Sequence, residues 1–293
     1  MIRKEVKTGA FGPRFFTPFF LLVVVACAPQ RTQGPDIELN QVHNSGAHRL
    51  AFAPDGKRLA SGGLSGTVRV WTVADGTAIM KLDGHAAPVR GLAWLDARRL
   101  ISADRSGRLL LRDLSSNRVL RSLQLDGAQN MALARDRSWL LVIEDSRLHK
   151  LALPSLDTMA TLDNGSPLLS AAINQRSDRV AMSGRDGRVW LLDADLQRLA
   201  ELPRPSRNAM DLRFSPDGKT LLAGGWFRLL VWDLERQRLE ERATEHLGKV
   251  ISVDISPDGE RWLSLGRITD SNVRLIDADS NRVLRRYQAH DLC

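Results

Sequence analysis

The chain of 293 residues reads as an all-β fold made by repeating one four-stranded antiparallel unit. Three observations carry that reading. Short strands close on Trp71-Thr72, Arg112-Asp113, Leu192-Asp193, Trp232-Asp233 and Ile276-Asp277, spaced 41, 80, 40 and 44 residues apart. The turn signals Ala53-Pro54-Asp55-Gly56, Ser215-Pro216-Asp217-Gly218 and Ser256-Pro257-Asp258-Gly259 fall between apolar strands at matching offsets. Proline presets φ for a tight turn and glycine tolerates the left-handed residue that closes it. Segments such as Thr67-Val68-Arg69-Val70-Trp71 and Asn272-Val273-Arg274-Leu275-Ile276 alternate with period two, the pattern of a half-buried strand. The nearest helical candidate, Gln237 to His246, reads better as an outer strand plus a connection.

The N-terminal stretch stands apart from the repeats. Arg3, Lys4, Lys7 and Arg14 form a basic head, and Phe19 to Ala26 is an uninterrupted apolar run behind Pro18. A membrane-spanning helix needs about 20 apolar residues, so residues 1–26 read as a secretory signal. Val24-Val25-Ala26-Cys27 at its end resembles a bacterial lipobox. The resemblance implies cleavage between Ala26 and Cys27, with lipid on the Cys27 sulfur. Residues 27–36, rich in Pro, Gly and polar side chains, form a tether, and residues 37–293 carry the repeats. Ala28 follows the cysteine where an aspartate would resemble an inner-membrane retention signal. An exported protein held at the outer membrane and facing the periplasm is expected, or at the cell surface of a Gram-positive source. Cys293 has no second cysteine left to pair with.

The formal charge is +8; without the leader's net +3, the mature chain carries about +5. The arginines are scattered, with no continuous basic tract interleaved with aromatics, which argues against nucleic acid.

Within 37–293 six copies of the unit begin near Ala47, Val89, Gln129, Leu168, Asn208 and Val250. The third is weak, recognisable from Arg147-Leu148-His149-Lys150-Leu151. A period of 40 to 44 residues, the endings above and Asp83-Gly84-His85 resemble the WD-repeat family. The family implies a β-propeller of four-stranded blades. An extra strand at Asp36 to Val42 precedes the first blade, while the last has its own outer strand near Asn281 to Gln288. Two closures stay open: six blades with a spare strand, or an incomplete ring of seven.

WD blades are tied by a His, Ser/Thr, Asp and Trp set, which is incomplete in every blade here. The residues at those positions are His43, Ser61 and Trp71 in blade 1 (with Ser65 in the Asp place) and His85 and Ser102 in blade 2 (with Ser106 and Arg112). Asp186 stands at the turn of blade 4, Trp232 in blade 5, and His246 and Asp270 in blade 6.

No metal-binding spacing, phosphate loop or nucleophile motif occurs, so neither a catalytic group, a cofactor, a metal nor a small-molecule substrate is expected. The resemblance implies instead a platform for an unidentified protein or peptide on the face around the central channel. Carried over by alignment, the residues pointing to that face are His48, Arg90, Asn130, Leu169, Met210 and Ile251, with Trp226 beside them. The first three are polar or basic and the next three apolar, which suits a partner with an apolar anchor beside acidic groups; alternatively Leu169, Met210 and Ile251 pack inside. Two other functions stay open. One is an accessory subunit of an envelope assembly machine that offers the edge strand at Asp36 to Val42. The other is an enzyme with its site at the channel mouth.

Overall fold

A computed structural model of the chain describes His43, residues 46–267 and residues 272–287. Cys27, Ala26, the strand expected at Asp36 to Val42, Asp270 and Cys293 lie outside the described residues. Twenty-four strands form six four-stranded antiparallel sheets, each in simple up-and-down order. The blades span 47–82, 89–124, 130–163, 168–201, 212–243 and 250–287. They stand in a ring, a six-bladed β-propeller with the first strand of each blade innermost. The seven-bladed alternative is thereby set aside. The segment from Gln237 onward contains the outer strand Arg238–Ala243.

The second strands are the most buried, because they lie between two neighbouring blades. Arg99–Asp104, Trp139–Glu144 and Arg179–Gly184 are buried at five or six of their six positions. Apolar clusters fill the seams. Between blades 1 and 2, Ala60 and Val70 meet Val89, Trp94 and Leu100. Between blades 2 and 3, Ile101 and Leu111 meet Leu140 and Val142. Comparable clusters join blades 3 to 4, 4 to 5 and 5 to 6. Each fully buried aliphatic side chain contributes about 1.5–3 kcal/mol, so the seams hold the blades in register.

Polar ties reinforce them. Trp94 Nε1 donates to Ala51 O at 2.9 Å, Leu212 N to Ser170 Oγ at 3.0 Å, and Val253 N to Asp211 Oδ2 at 3.2 Å.

The two ends of the ring differ. The turn from first to second strand is a tight hairpin in all six blades, closed by the amides of Ala53, Ala134, Asn174, Ser215 and Ser256 onto the carbonyl five residues on, and in blade 2 by Leu95 onto the carbonyl of Arg99, one residue sooner. On the opposite face the turns from second to third strand lie beside the connections between blades. Leu64 N donates to Gly46 O, Arg105 N to Pro88 O, Asn164 N to Ser146 O, Arg185 N to Pro167 O, Phe227 N to Gly248 O and Arg267 N to Lys249 O. This second face is called the connection face below.

Candidate binding face

The histidine sets lie at the rim of the connection face and are structural. In blade 2, His85 Nδ1 meets Asp104 Oδ2 at 2.9 Å and Nε2 meets Ser102 Oγ at 2.7 Å. Burial holds His85 below the ordinary histidine range, although Asp104 pulls the other way. A neutral ring therefore donates from Nδ1 and accepts from Ser102. Burial pushes the Asp104 carboxyl up, but hydrogen bonds from Ser106 and His85 more than offset this and hold it below the usual range. Asp104 thus fills the acid place that the repeat alignment assigns to Ser106. Ser106 itself donates its amide and hydroxyl to Asp104 Oδ1.

Blade 1 has no such acid. His43 Nε2 meets Ser61 Oγ at 2.8 Å, and Trp71 Nε1 donates to the same oxygen at 2.7 Å. His43 Nδ1 is buried without a partner among the described residues. Burial, and then the charge of Arg69, hold His43 below its usual value. In blade 6, His246 Nε2 meets Ser264 Oγ at 2.8 Å while Arg274 donates to Nδ1. That ring carries its proton on Nε2, the reverse of His85. Trp232 donates to Pro203 O at 2.8 Å, and Asp186 caps its own turn by accepting from Arg188 N.

Blade 3 holds a pair that the repeat positions did not suggest: Glu144 Oε2 and His149 Nε2 are 2.8 Å apart, and His149 Nδ1 meets Thr161 Oγ1 at 3.0 Å. The four described histidine side chains are all engaged within their blades. Among the described residues no group of three or more His, Cys, Asp or Glu could hold a metal ion.

Five places before each hairpin amide, toward the connection-face end of the inner strands, stand the residues that the alignment assigns to the channel mouth. Arg90, Leu169, Met210 and Ile251 occupy that place and are half-buried. His48 occupies it in blade 1, but its side chain is not among those described. In blade 3 the place belongs to the exposed Gln129, and Asn130 sits one position deeper. At these places blades 2 and 3 carry polar or basic residues (Arg90, Gln129, with Asn130 next to it), and blades 4 to 6 carry the apolar Leu169, Met210 and Ile251. Trp226 is 40% exposed at the rim of the apolar side.

Charged groups line the channel below the mouth. Asp211 accepts from Arg213 at 2.8 Å and from Ser252 Oγ at 2.9 Å. Asp211 also raises the pKa of Arg213, while burial pushes the Asp254 carboxyl up. Arg49 donates to Arg90 O at 2.7 Å, and burial lowers its pKa. The mouth therefore leads into a channel with fixed charges of both signs.

Two segments, residues 38–72 and 197–233, match the family described as WD domain, G-beta repeat. Autophagy-related protein 16 of Arabidopsis thaliana is 27% identical over 233 residues, covering 79% of this chain and 38% of the relative. Guanine nucleotide-binding protein subunit beta-1 of Caenorhabditis briggsae is 23% identical over 184 residues, covering 62% of this chain and 44% of the relative. Small ribosomal subunit protein RACK1 of Glycine max is 29% identical over 84 residues, 29% of this chain and 26% of the relative. The chain spans less than half the length of these curated relatives. The matched segments coincide with blade 1 and with the stretch from the end of blade 4 into blade 5, so the chain is a six-bladed β-propeller in which these two segments are similar to WD repeats.

Proposed function

We propose that the chain is a protein-interaction platform, held at a membrane of the cell envelope by lipid on Cys27, with the channel mouth of the connection face as its partner-binding surface. The observation that carries this is the divided mouth: basic Arg90 and polar Gln129 and Asn130 on one side, Leu169, Met210 and Ile251 on the other. Interfaces gain most from a few apolar anchors in a desolvated centre, while charged groups around them set orientation. The partner read from this face is a protein or peptide segment with an apolar anchor beside carboxylates. The WD-repeat relatives fit the same class, since two of their names describe subunits of larger assemblies.

The test is recovery of partners from envelope extracts on the full chain, comparing wild type with Met210→Asp and Ile251→Asp. The expected result is at least a tenfold loss of bound protein with an unchanged melting temperature; equal recovery would refute the mouth as the binding surface. Acylation is read separately, as a mass increase on the Cys27 peptide that Cys27→Ser abolishes.

A second reading, an accessory subunit that offers an edge strand, is favoured by one feature of blade 6. Leu263, Leu265, Val273 and Leu275 are half-exposed there, on the side where the other blades bury apolar residues. Deleting Asp36 to Val42 separates the two readings. Loss of partner with an intact fold supports edge pairing, and partner binding that survives the deletion supports the mouth.

A further inference from the structure

Ten large apolar side chains are exposed among the described residues, and they fall into two groups. Ile79, Val119, Leu120, Met159, Leu199 and Leu284 are spread over the outer strands around the wall of the ring. Scattered residues of this kind are ordinary on a protein surface. The other four, Leu64 (38% exposed), Trp226 (40%), Phe227 (50%) and Leu247 (68%), all lie on the connection face of blades 1, 5 and 6.

Three of the four form one structure. Trp226 and Phe227 make a shortened turn between the second and third strands of blade 5, with ring centroids 6.0 Å apart. Trp226 pairs with Lys249 across an isolated bridge, and Lys249 Nζ lies 4.7 Å from the centre of the indole. Phe227 N donates to Gly248 O at 2.9 Å, which brings the connection carrying Leu247 against the turn.

Phe227 has φ 56°, in the left-handed region. The matching place in blades 1, 2 and 4 is glycine: Gly66, Gly107 and Gly187, with φ between 79° and 89°. A half-exposed phenylalanine at a place that favours glycine gains little from burial, and strain kept in this way points to a role outside the fold.

The surrounding charge is positive. Among the described residues Lys249 and Arg267 have no carboxylate partner, and Arg267 N donates to Lys249 O at 3.0 Å. Glu241 and Glu245 nearby are engaged with Arg228 and Arg286. The chain also enters the ring on this face. His43 is seated against Ser61 and Gly63 of blade 1, next to blade 6 around the ring, and 42 residues containing the apolar run Phe19 to Ala26 precede it.

We infer that the rim formed by Trp226, Phe227, Leu247 and Lys249 docks on an anionic lipid bilayer, with Leu64 of blade 1 on the same face. Aromatic rings on projecting turns suit the membrane–water interface, where an indole takes both an apolar and a polar surrounding. Lys249 and Arg267, which no carboxylate among the described residues pairs, are drawn to anionic headgroups. The ring would then stand on blades 5, 6 and 1, with blades 2 to 4 held away from the lipid. The inference draws on the membrane location proposed above, but the patch is tested without relying on the anchor.

Trp226 is the exposed one of seven tryptophans, so it reports on its own surroundings. The full chain is mixed with vesicles of phosphatidylglycerol and phosphatidylcholine in which the acyl chains are brominated. Tryptophan emission should be quenched, and Trp226→Phe should remove most of the quenched fraction. Phe227→Gly should weaken the quenching at least threefold while the melting temperature stays equal or rises. Replacing phosphatidylglycerol by phosphatidylcholine should weaken it as well. Emission that is unquenched at every composition, or quenching that Trp226→Phe leaves unchanged, would overturn the inference and leave the patch to a protein. Co-sedimentation with pure phosphatidylcholine vesicles reports separately on the anchor. Its failure would count against the lipid-anchored reading, while the Trp226 signal still decides the patch.

Discussion

Where blades 2 and 3 meet, Ile101, Ala103, Leu109 and Leu111 pack on Leu140, Val142 and Leu151, all buried. On the side of blade 6 that faces blade 1, the equivalent Leu263, Leu265, Val273 and Leu275 are only half-buried. Among the described residues no apolar cluster bridges those two blades, whereas each of the other five seams has one. The residue types are the same in both places, so hydrophobicity alone does not explain the difference. What differs is whether a complementary surface among the described residues lies within contact distance, since packing is won only from atoms that touch. Among the described residues, then, five seams are packed with apolar clusters and the one between blades 6 and 1 is not, and the exposed aromatic rim sits on the blade 6 side of it.

The largest test of this contrast is a pair of truncations. Leu111→Ala, in the seam between blades 2 and 3, should cost about 2–5 kcal/mol, the usual range for a buried leucine. Leu265→Ala should cost well under half as much, because the site is already partly hydrated. Denaturant unfolding of both variants checks this, and equal losses would mean that the closing seam is as firm as the others.

The histidine sets extend the contrast to polar groups. Asp104→Ala removes the acceptor for His85 Nδ1 and for the Ser106 amide. It should destabilise the protein by about 1–3 kcal/mol, the cost of leaving buried donors unsatisfied. Ser65→Ala, at the place in blade 1 where the family pattern expects the acid, should be close to neutral. If the two matched, the turn acid would be contributing nothing.

A smaller effect is expected from pH. His43 and His85 are both held below the ordinary histidine value of 6.5, burial being the first cause in each. The unfolded chain therefore binds protons that the folded chain refuses. Stability from these groups is complete above the unfolded value and is lost as the pH falls through about 6.5 toward the lower folded values. His43→Gln should flatten that acid limb in a melting-temperature profile between pH 8 and 5. A profile that it leaves unchanged would show that His43 already titrates normally.

Most of the architecture was legible in the residues. The period, the proline–aspartate–glycine hairpins and the alternating strands located six blades, and the structure places them there. Ring closure was not legible, because it depends on how far each blade turns from the last, and no local pattern records that angle. Asn130 was matched to the mouth because blade 3 turns through Ala134-Arg135-Asp136-Arg137, which lacks the proline and glycine that fix the count in blades 1, 5 and 6. Asp104 was missed because the acid ends the second strand and does not lie within the turn. The pair of Glu144 and His149 stands away from the repeat's histidine position, so nothing in the spacing marked it. Trp226 was visible as a residue in a short turn. The left-handed backbone of Phe227 and the approach of Leu247 required coordinates.

The proposed platform requires that the connection face, and not the hairpin face, meet the partner. Photo-crosslinking in intact cells tests it most directly, with a photoreactive residue placed at Met210 or Arg90 on one face and at Asp217 or Asp258 on the other. A discrete crosslinked protein band is expected from Met210 and Arg90, and none from Asp217 and Asp258. A band confined to the hairpin face, or no band from either, would contradict it.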